Sequence, residues 1–133
     1  MADLAISTAM RCELVDITGS INVLIPKNIR CGVCHIYSPH TTAGLTVNEN
    51  ADPAVKHDIL AKLAKLIPQH ESYYAHDEGN SDAHLKASLM GFSLNLPIRD
   101  GHLALGVWQG VYFCEFDGPR SRQLNLTFLP AEE

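Results

Sequence analysis

The sequence predicts an α+β domain with a largely antiparallel, β-sandwich-like core and two or three helices. Three observations carry this. Phe92, Leu94, Leu96 and Ile98 alternate with Ser93, Asn95 and Pro97, the period of a half-buried strand. Asp52-Pro53 opens a run whose apolar residues recur at helical spacing. The remaining β-like runs are separated by short turn signals, which favours antiparallel neighbours over a doubly wound sheet. At 133 residues the chain reads as one domain, 1–133. A domain of that size buries roughly two-thirds of its unfolded surface.

Taken in order, Leu4, Ile6 and Thr8 read as a strand, and Glu13-Leu14-Val15-Asp16 continues it. Ile17, Ile21, Leu24 and Ile25 follow a helical stripe that Asp16 or Thr18 can cap and Pro26 stops. Gly32 to Ser38 and Ala43 to Asn48 read as consecutive strands around Pro39-His40. Asp52 then caps the clearest helix, with Pro53 at its first position, Val55, Ile59, Leu63, Leu66 and Ile67 on its apolar face, and Pro68 ending it. Positions 69–82 read as a polar loop and Ala83 to Met90 as a short helix. The rest is β: Phe92 to Ile98, the Asp100-Gly101 turn, Leu103 to Val107, and two runs (Val111 to Phe116, Leu124 to Phe128) flanking Asp117-Gly118-Pro119.

Composition narrows the function classes. Hydrophobic residues at 46% and charged residues at 19% are those of a folded globular chain. A net charge of −5 argues against a general nucleic-acid surface, which needs a basic stripe to displace counterions. No basic run followed by an apolar stretch opens the chain, and no apolar run approaches the roughly 20 residues of a spanning helix. The expectation is a cytoplasmic protein with no membrane contact. Of the four cysteines, Cys31 and Cys34 form a CxxC pair, but residues three apart on a strand face opposite ways. All four read as reduced and structural.

Polar chemistry concentrates in two clusters. The first, His40-Thr41-Thr42 through Asn48-Glu49-Asn50, spends hydroxyls and amides where a strand would ordinarily place Val and Ile. Thr42, Gly44, Thr46 and Asn48 share one face of that strand, which is either a solvated face or a polar ladder leading to His40. The second, His76-Asp77-Glu78-Gly79-Asn80-Ser81-Asp82-Ala83-His84, runs into a helix start, where free N–H groups favour anions. It reads either as a capped helix with surface histidines or, with His40, as three imidazoles that leave a position open for water, the arrangement of a catalytic zinc site. Arg120 and Arg122 are either members of a hairpin ion pair with Glu115 and Asp117 or a guanidinium fork for phosphate. Lys86 could add a charge. Trp108-Gln109 could wall a planar ligand, or fill a core or interface. Phosphate-binding glycine loops and nucleophile elbows are absent.

These segments together resemble the YjbQ family, small bacterial and archaeal proteins described as secondary thiamine-phosphate synthases. The matching pieces are His40-Thr41-Thr42 through Asn48-Glu49-Asn50 with Asp52-Pro53 and His57-Asp58; His76 with Glu78-Gly79-Asn80 and Ala83-His84-Leu85-Lys86; Gly101, Gly106 and Trp108-Gln109-Gly110; and Glu115 through Asp117-Gly118-Pro119-Arg120 with Arg122. They occur in the family's order from about residue 35 onward. One departure stands out: the family usually reads Gly-Thr-Trp-Gln where this chain has Gly106-Val107-Trp108-Gln109. The resemblance implies a compact α+β fold, a homotrimer with sites near subunit boundaries, and histidine clusters meeting around a bound metal or anion.

The expected function is a metal-assisted enzyme acting on a phosphorylated small molecule. Thiamine-phosphate synthesis is the named activity: it joins a pyrimidine diphosphate to a thiazole phosphate and releases pyrophosphate. Alternatives are a metal-dependent hydrolase with Glu78 or Asp58 as base, and a non-catalytic trimeric module that binds a small anion or metabolite. The candidate catalytic residues are Asn48, Asp58, Glu78 and Lys86. The candidate substrate-binding residues are Thr42, Trp108, Gln109, Arg120 and Arg122. The candidate metal ligands are His40, His76 and His84, for a divalent ion with zinc first in line.

Overall fold

A computed structural model describes residues 1–132. Eight strands and three helices follow one another as β1 (Ala2–Ser7), β2 (Glu13–Asp16), α1 (Thr18–Leu24), β3 (Gly32–Tyr37), β4 (Ala43–Glu49), α2 (Pro53–Leu66), α3 (Ser81–Met90), β5 (Ser93–Arg99), β6 (His102–Leu103), β7 (Gln109–Glu115) and β8 (Ser121–Pro130). A five-stranded sheet runs β1-β8-β3-β5-β6 and a three-stranded sheet runs β2-β7-β4, with every pairing antiparallel. The predicted α+β class with a sandwich-like core is the observed one.

The smaller sheet is a middle layer. Strand β7 shows why, because both of its faces are buried along nearly its whole length. Val111 and Phe113 face the larger sheet and pack in one core with Cys34, Ile36, Leu45, Leu124 and Leu126. Tyr112 and Cys114, followed by Phe116, face the other way and pack with Leu63 of α2 and Ala83 and Ala87 of α3. Alternation along one strand therefore serves two cores. The α1 helix closes the first core with Ile17, Ile21 and Ile25, all buried. Asp16 accepts from the Thr18 N–H at 2.9 Å, and the Thr18 hydroxyl accepts from the Val111 N–H at 2.8 Å.

Local signals hold at the clearest helix. Asp52 caps α2 by accepting from the Ala54 N–H at 2.9 Å, and Pro53 is its first residue. Only Leu63 of its expected stripe is fully buried, and Leu66 is exposed. The α3 helix begins two residues earlier than expected, at Ser81, and neither Ser81 nor Asp82 caps it. Asp82 is fully buried instead and accepts from Arg11 at 2.9 and 3.2 Å and from Lys86 at 2.7 Å. Burial alone would raise its pKa, but the two cations outweigh that and hold the carboxyl below its usual value. Lys86 is spent on this pair. The strand expected from Leu103 to Val107 ends at Leu103. Cys34 and Cys114 are buried, with burial pushing their thiols to about 11 and about 12; Cys12 and Cys31 are half-buried, and all four are free.

Strands adjacent in sequence do not always pair. Strands β3 and β4 lie in different sheets, and so do β7 and β8. The hairpin expected around Asp117-Gly118-Pro119 is instead a crossing between sheets. Gly118 passes so close to the β1–β2 link that a Cβ there would lie 2.3 Å from the Met10 carbonyl oxygen. The two strands are tied across the gap by Arg122 of β8 and Glu115 of β7. Arg122 Nε donates to Glu115 Oε1 at 2.9 Å, and Nη2 donates to Oε2 and, at 2.9 Å, to the Thr42 hydroxyl. Glu115 also accepts from Thr8 Oγ1 at 2.8 Å and from the Phe116 and Asp117 N–H groups at 3.1 Å each. This is a buried bridge, not the weak surface pair a hairpin would give.

The face of β4 expected to be a polar ladder is covered at its start, where Thr42 and Gly44 are buried, while Thr46 is half-buried and Asn48 exposed. Gly44 lies under the end of α3, where a Cβ would sit 2.8 Å from Met90 Cβ and 2.9 Å from the Gly91 carbonyl oxygen. That carbonyl also accepts from the Leu45 N–H at 3.0 Å, so the chain cannot easily withdraw it.

Two stability outcomes follow. Gly44→Ala overpacks this contact and is expected to cost about 2 kcal/mol, read by chemical denaturation; an unchanged midpoint refutes the close approach. Burial raises the Glu115 pKa, but Arg122, the Asp117 N–H and Thr8 more than reverse it, so the folded-state value lies below the usual one. The stability it contributes is therefore full above the unfolded pKa of about 4.3 and is lost as pH falls through the lower folded value. Glu115→Gln is expected to lose about 3 kcal/mol at neutral pH, leaving Arg122 uncompensated, and to show a shallower acid limb in stability against pH.

Candidate functional site

Two of the crossings between the sheets, β3–β4 and β7–β8, open onto one polar cavity of about 360 Å³, and the start of α3 borders it. The β3–β4 link supplies His40, Thr41 and Thr42, and the α3 start supplies Asn80 and His84, preceded by Glu78. The β7–β8 crossing and β8 supply Asp117, Arg120 and Arg122. Of the residues the sequence singles out, His40, Thr42, Glu78, His84, Arg120 and Arg122 meet here.

Each arginine is oriented by a carboxylate and keeps one edge unspent. Arg122, buried, uses Nε and Nη2 on Glu115 and Thr42. Arg120, more exposed, uses Nε on the Asp117 carbonyl at 2.7 Å and Nη2 on Asp117 Oδ2 at 2.8 Å. Among the described residues neither Nη1 has a protein acceptor. Asn80 donates from Nδ2 to the same Asp117 oxygen at 2.8 Å, and its buried Oδ1 has no partner. An anion placed here would meet guanidinium N–H groups already fixed in direction, so little of their freedom would be lost on binding.

His40 is half-buried, with its ring edge-on to Phe113 at 6.4 Å between centroids. Nε2 lies 3.0 Å from both the N and the O of Gln123. Burial and then Arg122 lower its pKa, against the opposing pull of the Gln123 carbonyl and Glu115. The balance favours the uncharged ring.

The three-imidazole centre expected of His40, His76 and His84 is not assembled. His76 lines a neighbouring groove with Tyr73, Tyr74 and Leu85, and His84 is the wall the two spaces share. The His76 and His84 rings stand edge to face at 5.3 Å, and His76 Nε2 is 3.6 Å from Glu78 Oε2. His40 commits Nε2 to the main chain of β8. Among the described residues no three His, Cys, Asp or Glu side chains converge tightly enough to hold an ion. As a one-chain, three-ligand zinc site these residues do not fit.

The other expectations fall elsewhere for identifiable reasons. Asn48 lies six residues along the strand direction from Thr42, about 20 Å at the rise of a strand. There it pairs with Gly110 on β7, beside the exposed Trp108 and Gln109, whose Oε1 accepts from the Gly106 N–H at 2.8 Å. Asp58 is exposed on α2 and accepts from His57 at 3.0 Å. Lys86 is buried on Asp82. Sequence reasoning did not single out Thr41, Asn80 or Asp117 as cavity residues. For Asn80 the signal was available: an amide just ahead of a helix, inside the second cluster.

The comparisons agree with this architecture. The model of the family described as UPF0047 protein YjbQ-like matches residues 2–131. UPF0047 protein MJ1081 of Methanocaldococcus jannaschii is 54% identical over 93% of this chain and 90% of its own length, and YugU of Bacillus subtilis is 48% identical over 95% and 96%. Among solved structures, an uncharacterised YjbQ/UPF0047 protein of Clostridium acetobutylicum superposes with a TM-score of 0.93 at 44% identity, covering 97% of this chain and 100% of that one. The conserved hypothetical protein TT1486 of Thermus thermophilus gives 0.92 at 42%, with the same coverage. This chain belongs to the YjbQ/UPF0047 family.

Proposed function

We propose that the cavity binds the phosphate of a small phosphorylated molecule and that the protein acts on that molecule as an enzyme. One observation carries the reading: Arg120 and Arg122 reach the same cavity from a crossing loop and a strand, each oriented by its own carboxylate with Nη1 unspent. Thr41 and the start of α3 add further donors beside them. Fixed donors of this kind stabilise charge that develops on a departing phosphate or pyrophosphate oxygen. Thiamine-phosphate synthesis, which releases pyrophosphate, is the first activity to assay on this ground and on that of the family resemblance. Hydrolysis of a phosphate ester is the second reading, with Glu78 as the base, because that carboxylate lines the cavity and Asp58 does not.

The divalent ion implied by the resemblance would rest on the His76–His84 pair alone, with zinc the first ion to look for. The homotrimer belongs to the same proposal. Exposed Val107 and Trp108, beyond β6 and far along β4–β7 from the cavity, give it an apolar surface, which makes Trp108 a subunit contact rather than a ligand wall. No helix among the described residues is long and apolar enough to cross a membrane.

Calorimetric titration with inorganic phosphate is expected to find one site per chain. Arg120→Ala, an exposed change that leaves both cores alone, is expected to weaken it roughly tenfold, about the worth of one charge-assisted hydrogen bond. Equal affinity in the variant removes the cavity from the proposal. Binding without turnover of the pyrimidine and thiazole pair, or of a panel of phosphate esters, leaves a non-catalytic anion-binding module. In a separate sample, elemental analysis is expected to show zinc that disappears in His84→Ala and persists in His40→Asn, at a solution mass of three chains. Zinc indifferent to His84 sets the metal aside.

A further inference from the structure

Pro39 accounts for the position of the His40 ring. Backbone groups along β8 alternate in the side they face. The Thr8 N–H donates to the Arg120 carbonyl at 2.9 Å on the β1 side. Gln123, three residues on, therefore turns both its N–H and its C=O toward β3. Strand β3 pairs with β8 as far as Tyr37 opposite Asn125, and the same register would set Pro39 opposite Gln123. Proline has no N–H to give, and the chain leaves the sheet there. The imidazole of the next residue fills the gap, with Nε2 at 3.0 Å from each of the two orphaned groups.

One nitrogen cannot answer both groups at once. With its proton on Nδ1, the neutral ring accepts the Gln123 N–H at Nε2. With its proton on Nε2, it donates to the Gln123 carbonyl and leaves Nδ1 as a bare lone pair. The imidazolium keeps that second bond and also donates from Nδ1. Every form keeps one ladder bond and forgoes the other, so the sheet edge holds the ring in place without choosing its tautomer. Nδ1 has no protein partner among the described residues, and His40 lines the cavity.

We propose that His40 is the proton-transfer group of the cavity, working through Nδ1 while the Gln123 peptide answers each protonation form at Nε2. This rests on the reading of the cavity as an anion site. In the forward step a ligand hydroxyl breaks its O–H bond and its proton bonds to Nδ1. The ring becomes imidazolium held by the Gln123 carbonyl, and the ligand oxygen keeps the electron pair and the negative charge. In reverse, the imidazolium returns the Nδ1 proton to a departing oxygen. The groups that face the ring are Arg122 from β8, which opposes its charging, Glu115 from β7, which favours it, and the uncharged ring of Phe113. Glu78, His84, Asp117 and Arg120 share the cavity with it.

Long-range nitrogen–proton NMR of the histidine rings in the full chain tests this, with inorganic phosphate as the probe. His40→Asn assigns the resonances; should that variant not fold, contacts to the Phe113 ring assign them in the wild type. The free protein at neutral pH is expected to show His40 uncharged and exchanging between tautomers, with both ring nitrogens at intermediate shifts. Saturating phosphate is expected to drive it to the Nδ1–H form, with Nε2 accepting from Gln123. A ring fixed in one tautomer, unmoved by phosphate while the Arg120 side-chain signals shift, overturns the proposal and leaves the anion site standing. If phosphate shifts nothing, the anion reading fails, and a single tautomer in the free protein then rejects the proton-transfer role as well.

Discussion

The buried bridge between Arg122 and Glu115 is the constraint on which both the fold and the cavity depend. Two charges taken out of water are costly unless each is paired and its remaining hydrogen-bonding capacity is used. Glu115 meets that condition with five donated hydrogen bonds, from Arg122 twice, Thr8, Phe116 and Asp117. These partners come from the β1–β2 link, from β8 and from the crossing itself, so the bridge fixes how the two sheets meet at one end of the sandwich. Thr42 hangs on the same guanidinium, which brings the β3–β4 crossing to the same place. The cavity lies where it does because the β3–β4 and β7–β8 links are both anchored to one ion pair.

That anchoring explains why polar groups can converge without collapsing on one another. Asp117 is held by Asn80 and Arg120 together, and Asp82, the second residue of α3, is held by Arg11 and Lys86. The second of these networks ties the α3 start to the β1–β2 link and keeps it in register with the crossing. The cavity wall is thus built from charged groups neutralised in pairs, each guanidinium keeping one edge unspent. Such a wall offers direction more than net charge.

How much of this was legible in the sequence depends on how local each cause is. The α2 cap is set by residues two apart, and the β5 alternation is written in seven consecutive residues, so both could be read directly. The division into sheets could not. A period of two says that a residue faces a core, not which sheet its strand joins, and the continuous apolar run of β7, Val111-Tyr112-Phe113-Cys114, says that both faces are buried but not against what. The site shows the same split. His40, Thr42, Glu78, His84 and the two arginines were found because polar groups clustered where a core would have needed apolar ones. Asn48 was wrongly grouped with them, because seven strand residues carry the chain to the other end of the sheet. Lys86 was misplaced because its partner Asp82, four residues back on the same helix, reads as a cap in sequence and as a buried ion in the fold.

His40 shows how a structural duty can shape a chemical one. A histidine that ligates an ion through Nε2 would take that nitrogen from Gln123 and lose the one ladder bond it keeps, a cost of roughly 1–3 kcal/mol where the group left unanswered is kept from water. Keeping Nε2 on the sheet avoids that cost and leaves Nδ1 free. Because the orphaned peptide offers a donor and an acceptor at equal distance, the ring is held firmly in position and loosely in protonation. An acid–base group needs both properties: its location must not change between steps, and its proton must be cheap to move. Here they arise from a proline that ends a strand one residue too early.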